Sequence, residues 1–130
     1  MKNLNQLLLN FKYKQNFNYN DYYVSKSNYY AFQMIEKWPK WEKNILNIYG
    51  EKFSGKTHLI NIFLNKNSGI KINENEINDD VFKKLKLYEN IVLDDYKNIC
   101  DEKLMYSLFN LVDQDNKYLV INSLNPINNI

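Results

Sequence analysis

Residues 44–59 read NILNIYGEKFSGKTHL, an apolar run followed by a glycine, a polar loop and the start of a helical pattern. The apolar run over residues 44–49 is typical of a buried parallel strand, and it ends at Gly50. Apolar side chains then recur at helical spacing, which predicts a helix from about residue 55 to residue 64. This part of the chain therefore reads as a strand, a loop and a helix in direct succession.

The loop itself, residues 50–57, reads GEKFSGKT and fits the pattern GxxxxGK[ST] at every fixed position. Glycines let backbone N–H groups approach a phosphate, and the amino end of the following helix favours negative charge. The alternative is a glycine-containing turn that precedes a helix by chance, which is rare at average residue frequencies. The predicted nucleotide-binding residues are Gly50, Ser54, Gly55, Lys56, Thr57 and, in the first helical turn, His58.

Two of these side chains have specific tasks in a phosphate-binding loop. Lys56 would reach the β- and γ-phosphates of a nucleotide, and the Thr57 hydroxyl would bind Mg²⁺. His58 is expected on the helix surface rather than in catalysis. The predicted cofactors are therefore ATP or ADP together with Mg²⁺.

A second apolar run, residues 90–93, ends in Asp94 and Asp95. In a phosphate-loop protein this is the Walker B arrangement, in which Asp94 would hold Mg²⁺ and Asp95 would orient or polarise the attacking water. The alternative is a polar strand end at which aspartate begins a turn. The position of the pair, one strand and one helix after the loop, favours the functional interpretation.

Further strands and helices alternate along the chain, which predicts an α/β fold with a parallel sheet and helices on both faces. A fourth strand should end at Asn122, whose amide would sense the γ-phosphate or hold the water. A simple strand-to-loop transition is an equal alternative at Asn122.

The acidic stretch 74–80 is expected to be a solvated loop and helix start. The other predicted elements are a helix ended by Pro39, a weak strand over 69–72, a helix over 78–87, a helix opening at 101–102 and a strand over 118–122.

Composition narrows the function classes. A length of 130 residues suggests one domain, and a net charge of +2 is too small to argue for nucleic-acid binding by itself. All 17 Lys+Arg residues are lysines, so any mechanism that needs an arginine must take it from another molecule or from a segment outside this sequence. Cys100 is the only cysteine, which excludes an intrachain disulfide and favours a reducing interior.

The sequence also carries no sign of a membrane or export segment. Apolar runs stay well short of the roughly 18–20 residues that a membrane-spanning helix needs. The first residues lack the apolar core and cleavage site of a signal peptide. We therefore expect a cytoplasmic protein without a membrane partner.

Several segments together resemble the bacterial replication initiator DnaA and, more closely, its regulator Hda, which are AAA+ P-loop proteins. The segments are residues 23–28, residues 46–49 before the loop, residues 57–59, the paired aspartates, and residues 119–126. The resemblance implies a P-loop NTPase core of the AAA+ type and a sensor 1 role for Asn122, and the sequence departs from the family in lacking the C-terminal lid. Residues 1–24 are rich in Asn, Tyr and Lys without a helical period and are predicted to form an extended arm, so residues 25–130 would be a partial AAA+ nucleotide-binding domain.

The arm contains the sequence QLLLNF at residues 6–11, which is similar to peptides that bind the bacterial sliding clamp. Such a peptide places its glutamine amide in a polar subsite and its leucine and aromatic side chains in an apolar pocket, and it must be extended and accessible. An arm folded back on its own domain, which would bury the apolar residues, is the alternative. The predicted clamp-binding residues are Gln6, Leu7, Leu9 and Phe11.

The resemblance implies a clamp-tethered regulator that promotes ATP hydrolysis by DnaA, with DNA contacted only indirectly or weakly. Members of the family use an arginine finger and a sensor 2 arginine, and neither is present in this sequence. We expect an incomplete version of the family's domain, whose first strand would lie at an exposed edge in the strand order 5-1-4-3-2. Whether the chain hydrolyses ATP stays open. The alternatives are a DnaA- or helicase-loader-like ATPase that acts on DNA, and an interaction module whose loop only stabilises the fold.

Overall fold

The computed structural model of the protein describes residues 23–26, 29–50, 56–66 and 68–127. The strands are β1 (Tyr23–Lys26), β2 (Ile45–Tyr49), β3 (Gly69–Asn73), β4 (Asn90–Tyr96) and β5 (Tyr118–Ser123). The helices are α1 (Tyr29–Lys37), α2 (Lys56–Lys66), α3 (Asp79–Leu85) and α4 (Glu102–Gln114), and a 3₁₀ turn spans Glu74–Glu76.

The strands form one parallel sheet in the spatial order β1-β2-β5-β4-β3. The four strands that the sequence predicted, β2 to β5, therefore lie in the order 1-4-3-2, so the expected α/β fold with a parallel sheet and flanking helices is confirmed. Because β5 is inserted between β2 and β4, the ends of these three strands are neighbours. Parallel α/β sheets bind ligands at the carboxyl ends of their strands.

Helices cover both faces of the sheet because alternate residues of the central strands are apolar on either side. In β4, Ile91 and Leu93 belong to the apolar cluster that contains residues of α3 and the inner face of α4. Val92 lies between them in sequence and belongs to the opposite cluster, with residues of α1 and α2. The sheet is thus the middle of three layers. Successive side chains of its strands point to opposite faces and so contribute to two separate cores.

The helix ends follow the side chains that cap them. The Asp101 side chain accepts a hydrogen bond from the backbone N–H of Lys103 at 2.8 Å, which fixes the start of α4 where the sequence predicted it. The Asn78 side chain does the same for α3 through the N–H of Val81, also at 2.8 Å. The largest difference from prediction is in β4, which was expected to end at Leu93 and continues to Tyr96.

β1 changes the expected edge of the sheet. It pairs in parallel with β2, from Tyr23 opposite Leu46 to Lys26 opposite Tyr49. The expectation that the first predicted strand would lie at an exposed edge is therefore wrong, because β1 covers the backbone N–H and C=O groups on that side of β2. β1 also extends across the predicted boundary between residues 24 and 25. No helix among the described residues is long and apolar enough to cross a membrane.

The two-core arrangement predicts a contrast between two leucine substitutions. Leu108 on α4 is 0% exposed, whereas Leu87 after α3 is 77% exposed. Leu108→Ala should lower the free energy of unfolding by about 2–5 kcal/mol, because it leaves a cavity in the core. Leu87→Ala should change that free energy by no more than about 0.5 kcal/mol. Urea unfolding followed by circular dichroism measures both values, and equal effects of the two substitutions would contradict the assignment of α4 to the core.

Candidate functional site

A cavity of about 290 Å³ lies at the carboxyl ends of β4 and β5 and at the amino end of α2. It contains five of the side chains that the sequence predicted to act on a nucleotide, which were chosen from three separate segments of the chain. The fold therefore brings the predicted phosphate, metal and sensor residues together. The lining residues are Lys56, Thr57, Asp94, Asp95, Asn122, Ser123 and Leu124.

The Lys56 side chain is buried and donates hydrogen bonds to two backbone carbonyls. One carbonyl belongs to Gly50, at the start of the loop, and the other belongs to Ser123, at the end of β5, at 3.1 Å. Burial lowers the pKa of Lys56, and the nearby carboxylates of Asp94 and Asp95 oppose that shift. The ammonium group is therefore partly desolvated, and among the described residues its hydrogen-bond acceptors are these two neutral carbonyls.

Gly50 contributes its backbone to the same place. Its N–H donates to the Ser123 carbonyl at 3.1 Å, so Ser123 accepts from the loop backbone and from Lys56 at once. The φ angle of Gly50 is 140°, a conformation that residues with a Cβ atom adopt at a steric cost. The first glycine of the motif is thus explained by the turn from β2 into the loop.

Asp94 and Asn122 form the polar pair at the other side of the cavity. The Asn122 Nδ2 group donates to Asp94 Oδ1 at 2.6 Å. The Asn122 Oδ1 atom is buried and has no hydrogen-bond partner among the described residues. Buried polar atoms are nearly always paired in proteins, so this oxygen is one of the few exceptions in the part of the chain that the structure describes.

The backbone of β4 is irregular at Asp95, the second of the paired aspartates. Leu93 pairs with Ile121 and Tyr96 pairs with Ser123, so β4 carries one more residue than β5 over this interval. The extra residue is accommodated by a bulge in which Asp95 has a φ angle of 54°. Bulges next to functional sites redirect side chains, and both aspartates of this one line the cavity.

The Asp95 carboxylate is exposed, and its Oδ2 atom lies 3.5 Å from the Nζ atom of Lys97. Exposed pairs of this kind contribute at most about 1 kcal/mol. The ion pair with Lys97 therefore holds Asp95 only weakly.

Sequence reasoning missed Glu74, which was expected to belong to a solvated acidic loop. Glu74 is buried, and its carboxylate accepts hydrogen bonds from the backbone N–H groups of Lys97, Ile99 and Cys100. These three residues form the loop directly after β4, so Glu74 fixes the chain that leaves the paired aspartates. Nothing in the sequence distinguishes it from the exposed Glu76, because the loop that it binds is more than 20 residues away.

The structure says less about the remaining residues that the sequence predicted for the site. Thr57 lines the cavity, whereas His58 is exposed on α2 and does not line it. Ser54 and Gly55 lie outside the described residues. The predicted clamp-binding residues Gln6, Leu7, Leu9 and Phe11 also lie outside them.

The contact with Glu74 predicts an unreactive thiol. Burial, followed by the Glu74 carboxylate, raises the pKa of Cys100 to about 12. Since the thiolate is the nucleophile, alkylation of folded protein by iodoacetamide at pH 8 should be roughly 1000-fold slower than that of an ordinary cysteine. The rate should increase about tenfold per pH unit up to this pKa.

Glu74→Gln is the matched variant for this measurement. It removes the carboxylate while burial remains, so it should restore only part of the reactivity. Protein unfolded in urea serves as the fast reference. Equal alkylation rates for folded and unfolded protein at pH 8 would contradict the buried contact between Cys100 and Glu74.

The cavity offers groups that suit a phosphate with a hard cation. Lys56 supplies a charged donor, and Thr57 and Asp94 supply oxygen atoms. Mg²⁺ is commonly held by one or two carboxylates together with phosphate oxygens, an arrangement that these residues can complete. Among the described residues, no group of three or more His, Cys, Asp or Glu side chains is placed to hold a metal ion. In comparisons with protein-family models, curated proteins and solved structures, no match to this chain was found.

Proposed function

We propose that the chain binds ATP or ADP with Mg²⁺ in the cavity at the carboxyl ends of β4 and β5. One observation carries the proposal: the lysine of a complete GxxxxGK[ST] loop is buried at the same cavity as Asp94 and Asn122. A nucleoside triphosphate site needs a cation, a metal ligand and a polar sensor. Three segments that are distant in sequence supply these three groups.

The groups present fit a phosphate. The Lys56 ammonium is desolvated by burial, and within the described segments it donates to two backbone carbonyls. When a phosphate binds, Lys56 can donate to a charged phosphate oxygen in place of a neutral carbonyl. Hydrogen bonds between charged partners are about twice as strong as hydrogen bonds between neutral ones. Negative charge at this place also favours the charged form of Lys56, against the desolvation that lowers its pKa.

The remaining lining residues have distinct roles in the proposal. The Thr57 hydroxyl and the Asp94 carboxylate would hold Mg²⁺, which would supply positive charge to neutralise the phosphates. Asn122 orients the Asp94 carboxylate through the hydrogen bond that its Nδ2 group donates. Asp95, with its exposed carboxylate, is the residue available to polarise a water.

We further propose that the fold is an AAA+-like core and that the protein is an Hda-like regulator of replication initiation in the cytoplasm. The 1-4-3-2 order of β2 to β5 agrees with the family order, and β1 lies where the family's order has its fifth strand. Tethering to the sliding clamp would use Gln6, Leu7, Leu9 and Phe11, and the regulated partner would be DnaA. The absence of arginine from the sequence means that the chain itself offers no arginine finger.

A second candidate is a DnaA- or helicase-loader-like ATPase that works on DNA. One observation favours it: Asp95 and Asn122, the two residues predicted to act on the attacking water, line the same cavity as Lys56. A regulator that only senses a nucleotide has no need of that combination. Turnover of ATP by the isolated chain would favour the second candidate over the first.

Substitution of the loop lysine tests nucleotide binding. Lys56→Ala should weaken binding of Mg²⁺-ADP by at least roughly 100-fold, because it removes the charged donor to the phosphates. Lys103→Ala removes an exposed lysine on α4 and should leave the affinity unchanged. Isothermal titration calorimetry on variants with native circular dichroism provides the measurement. Wild-type affinity in folded Lys56→Ala would contradict the proposed site.

Replacement of three arm residues by alanine tests tethering to the clamp. The Gln6→Ala, Leu9→Ala and Phe11→Ala triple variant should lose binding to purified bacterial sliding clamp, because it removes the amide and both apolar anchors. Surface plasmon resonance with immobilised clamp compares the variant with the unmodified chain.

The matched control stays within the same arm. Replacement of Asn3, Asn5 and Asn10 by alanine also changes three side chains and leaves the proposed anchors in place. This control should bind the clamp as the unmodified chain does. If the unmodified chain is folded and shows no affinity for the clamp, the tethered regulator is rejected and the second candidate function gains.

A further inference from the structure

Asn47 is a fully buried polar residue in the middle of β2. Its Nδ2 group donates to the Ser123 hydroxyl at 2.9 Å and to the Ile121 carbonyl at 3.0 Å. Its Oδ1 atom accepts from the backbone N–H of Ile127 at 3.0 Å. All three partners belong to β5 or to the segment that follows it, so Asn47 ties β2 to the end of β5.

Ser123 continues this connection to the phosphate-binding lysine. Its hydroxyl accepts from Asn47 and donates to the Asn125 carbonyl at 2.7 Å. Its own carbonyl accepts from the Gly50 N–H and from Lys56 Nζ, both at 3.1 Å. The side chain of Ser123 is thus held by Asn47, while its backbone holds the first glycine and the lysine of the loop.

We propose that Asn47 is a positioning residue of the phosphate site, which acts through Ser123 to fix the Lys56 ammonium and the start of the loop. The inference rests on the proposed nucleotide binding. A buried amide is costly in a strand unless it is paired, and the pairs of Asn47 are made with the chain that holds the lysine. A group that is held in its binding position before the ligand arrives loses less freedom on binding, so the affinity is higher.

A second buried asparagine provides a matched control. Asn90 begins β4 and is as fully buried as Asn47, but neither atom of its amide has a hydrogen-bond partner among the described residues. It lies at the amino end of its strand, whereas the cavity lies at the carboxyl end. Asn90→Leu therefore removes the same amide from the same sheet without touching the Ser123 connection.

The first readout is affinity for Mg²⁺-ADP by isothermal titration calorimetry. Asn47→Leu should weaken binding roughly tenfold, the order expected from the loss of one positioning hydrogen bond, and Asn90→Leu should change it less than about twofold. Ser123→Ala should weaken binding in the same direction, and it serves in place of Asn47→Leu if that variant does not fold. The double variant should lose less than the product of the two single effects, because both break one hydrogen bond.

The second readout needs no nucleotide. Hydrogen exchange of the Gly50 amide reports its hydrogen bond to the Ser123 carbonyl. Asn47→Leu should make that exchange faster, because a Ser123 released from Asn47 no longer holds the Gly50 N–H in place. Asn90→Leu should leave it unchanged.

The two readouts distinguish a failure of the proposed nucleotide binding from a failure of the positioning role of Asn47. If the unmodified chain does not bind Mg²⁺-ADP, the proposed function is wrong, and the Gly50 exchange rate still decides whether Asn47 positions the start of the loop through Ser123. An unchanged Gly50 exchange rate in folded Asn47→Leu, or equal effects of Asn47→Leu and Asn90→Leu, would overturn the positioning role.

Discussion

The buried Lys56 ammonium, held by the carbonyls of Gly50 and Ser123, is the interaction on which the rest of the site depends. A desolvated cation is stable only when several acceptors surround it, so the loop after β2 and the end of β5 must lie side by side. The sheet order meets this condition by placing β5 next to β2. The same order places β4 on the far side of β5, which brings Asp94 to Asn122.

Local patterns in the sequence predicted most of this arrangement. The loop motif and the apolar runs around it predicted the strand and the helix that flank the loop, because the GxxxxGK[ST] pattern involves residues that are adjacent in sequence. Asp94 and Asp95 were selected by the Walker B pattern and Asn122 by its place at a strand end. These five residues line one cavity, and their roles toward a nucleotide stay predictions.

The residues that were missed act across long sequence separations. Asn47 looks like an interruption in an apolar strand, and its role depends on Ser123, 76 residues later. Glu74 looks like one acid among several until the loop after β4 folds around its carboxylate. The pairing of β1 with β2 is invisible for the same reason, because an edge strand of four residues carries little periodicity. Topology rather than local propensity decides all three.

Binding and catalysis place different demands on this site. Lysines alone can hold phosphate, whereas a mechanism that needs an arginine must take it from another molecule or from a segment outside this sequence. The most direct measurement is a titration of ¹⁵N-labelled protein with Mg²⁺-ADP, followed through its backbone amide resonances. Nucleotide binding in the cavity predicts saturable shifts at Lys56, Thr57, Asp94 and Ser123, with no change at Leu87. Unchanged resonances at these four residues at millimolar ADP would contradict it.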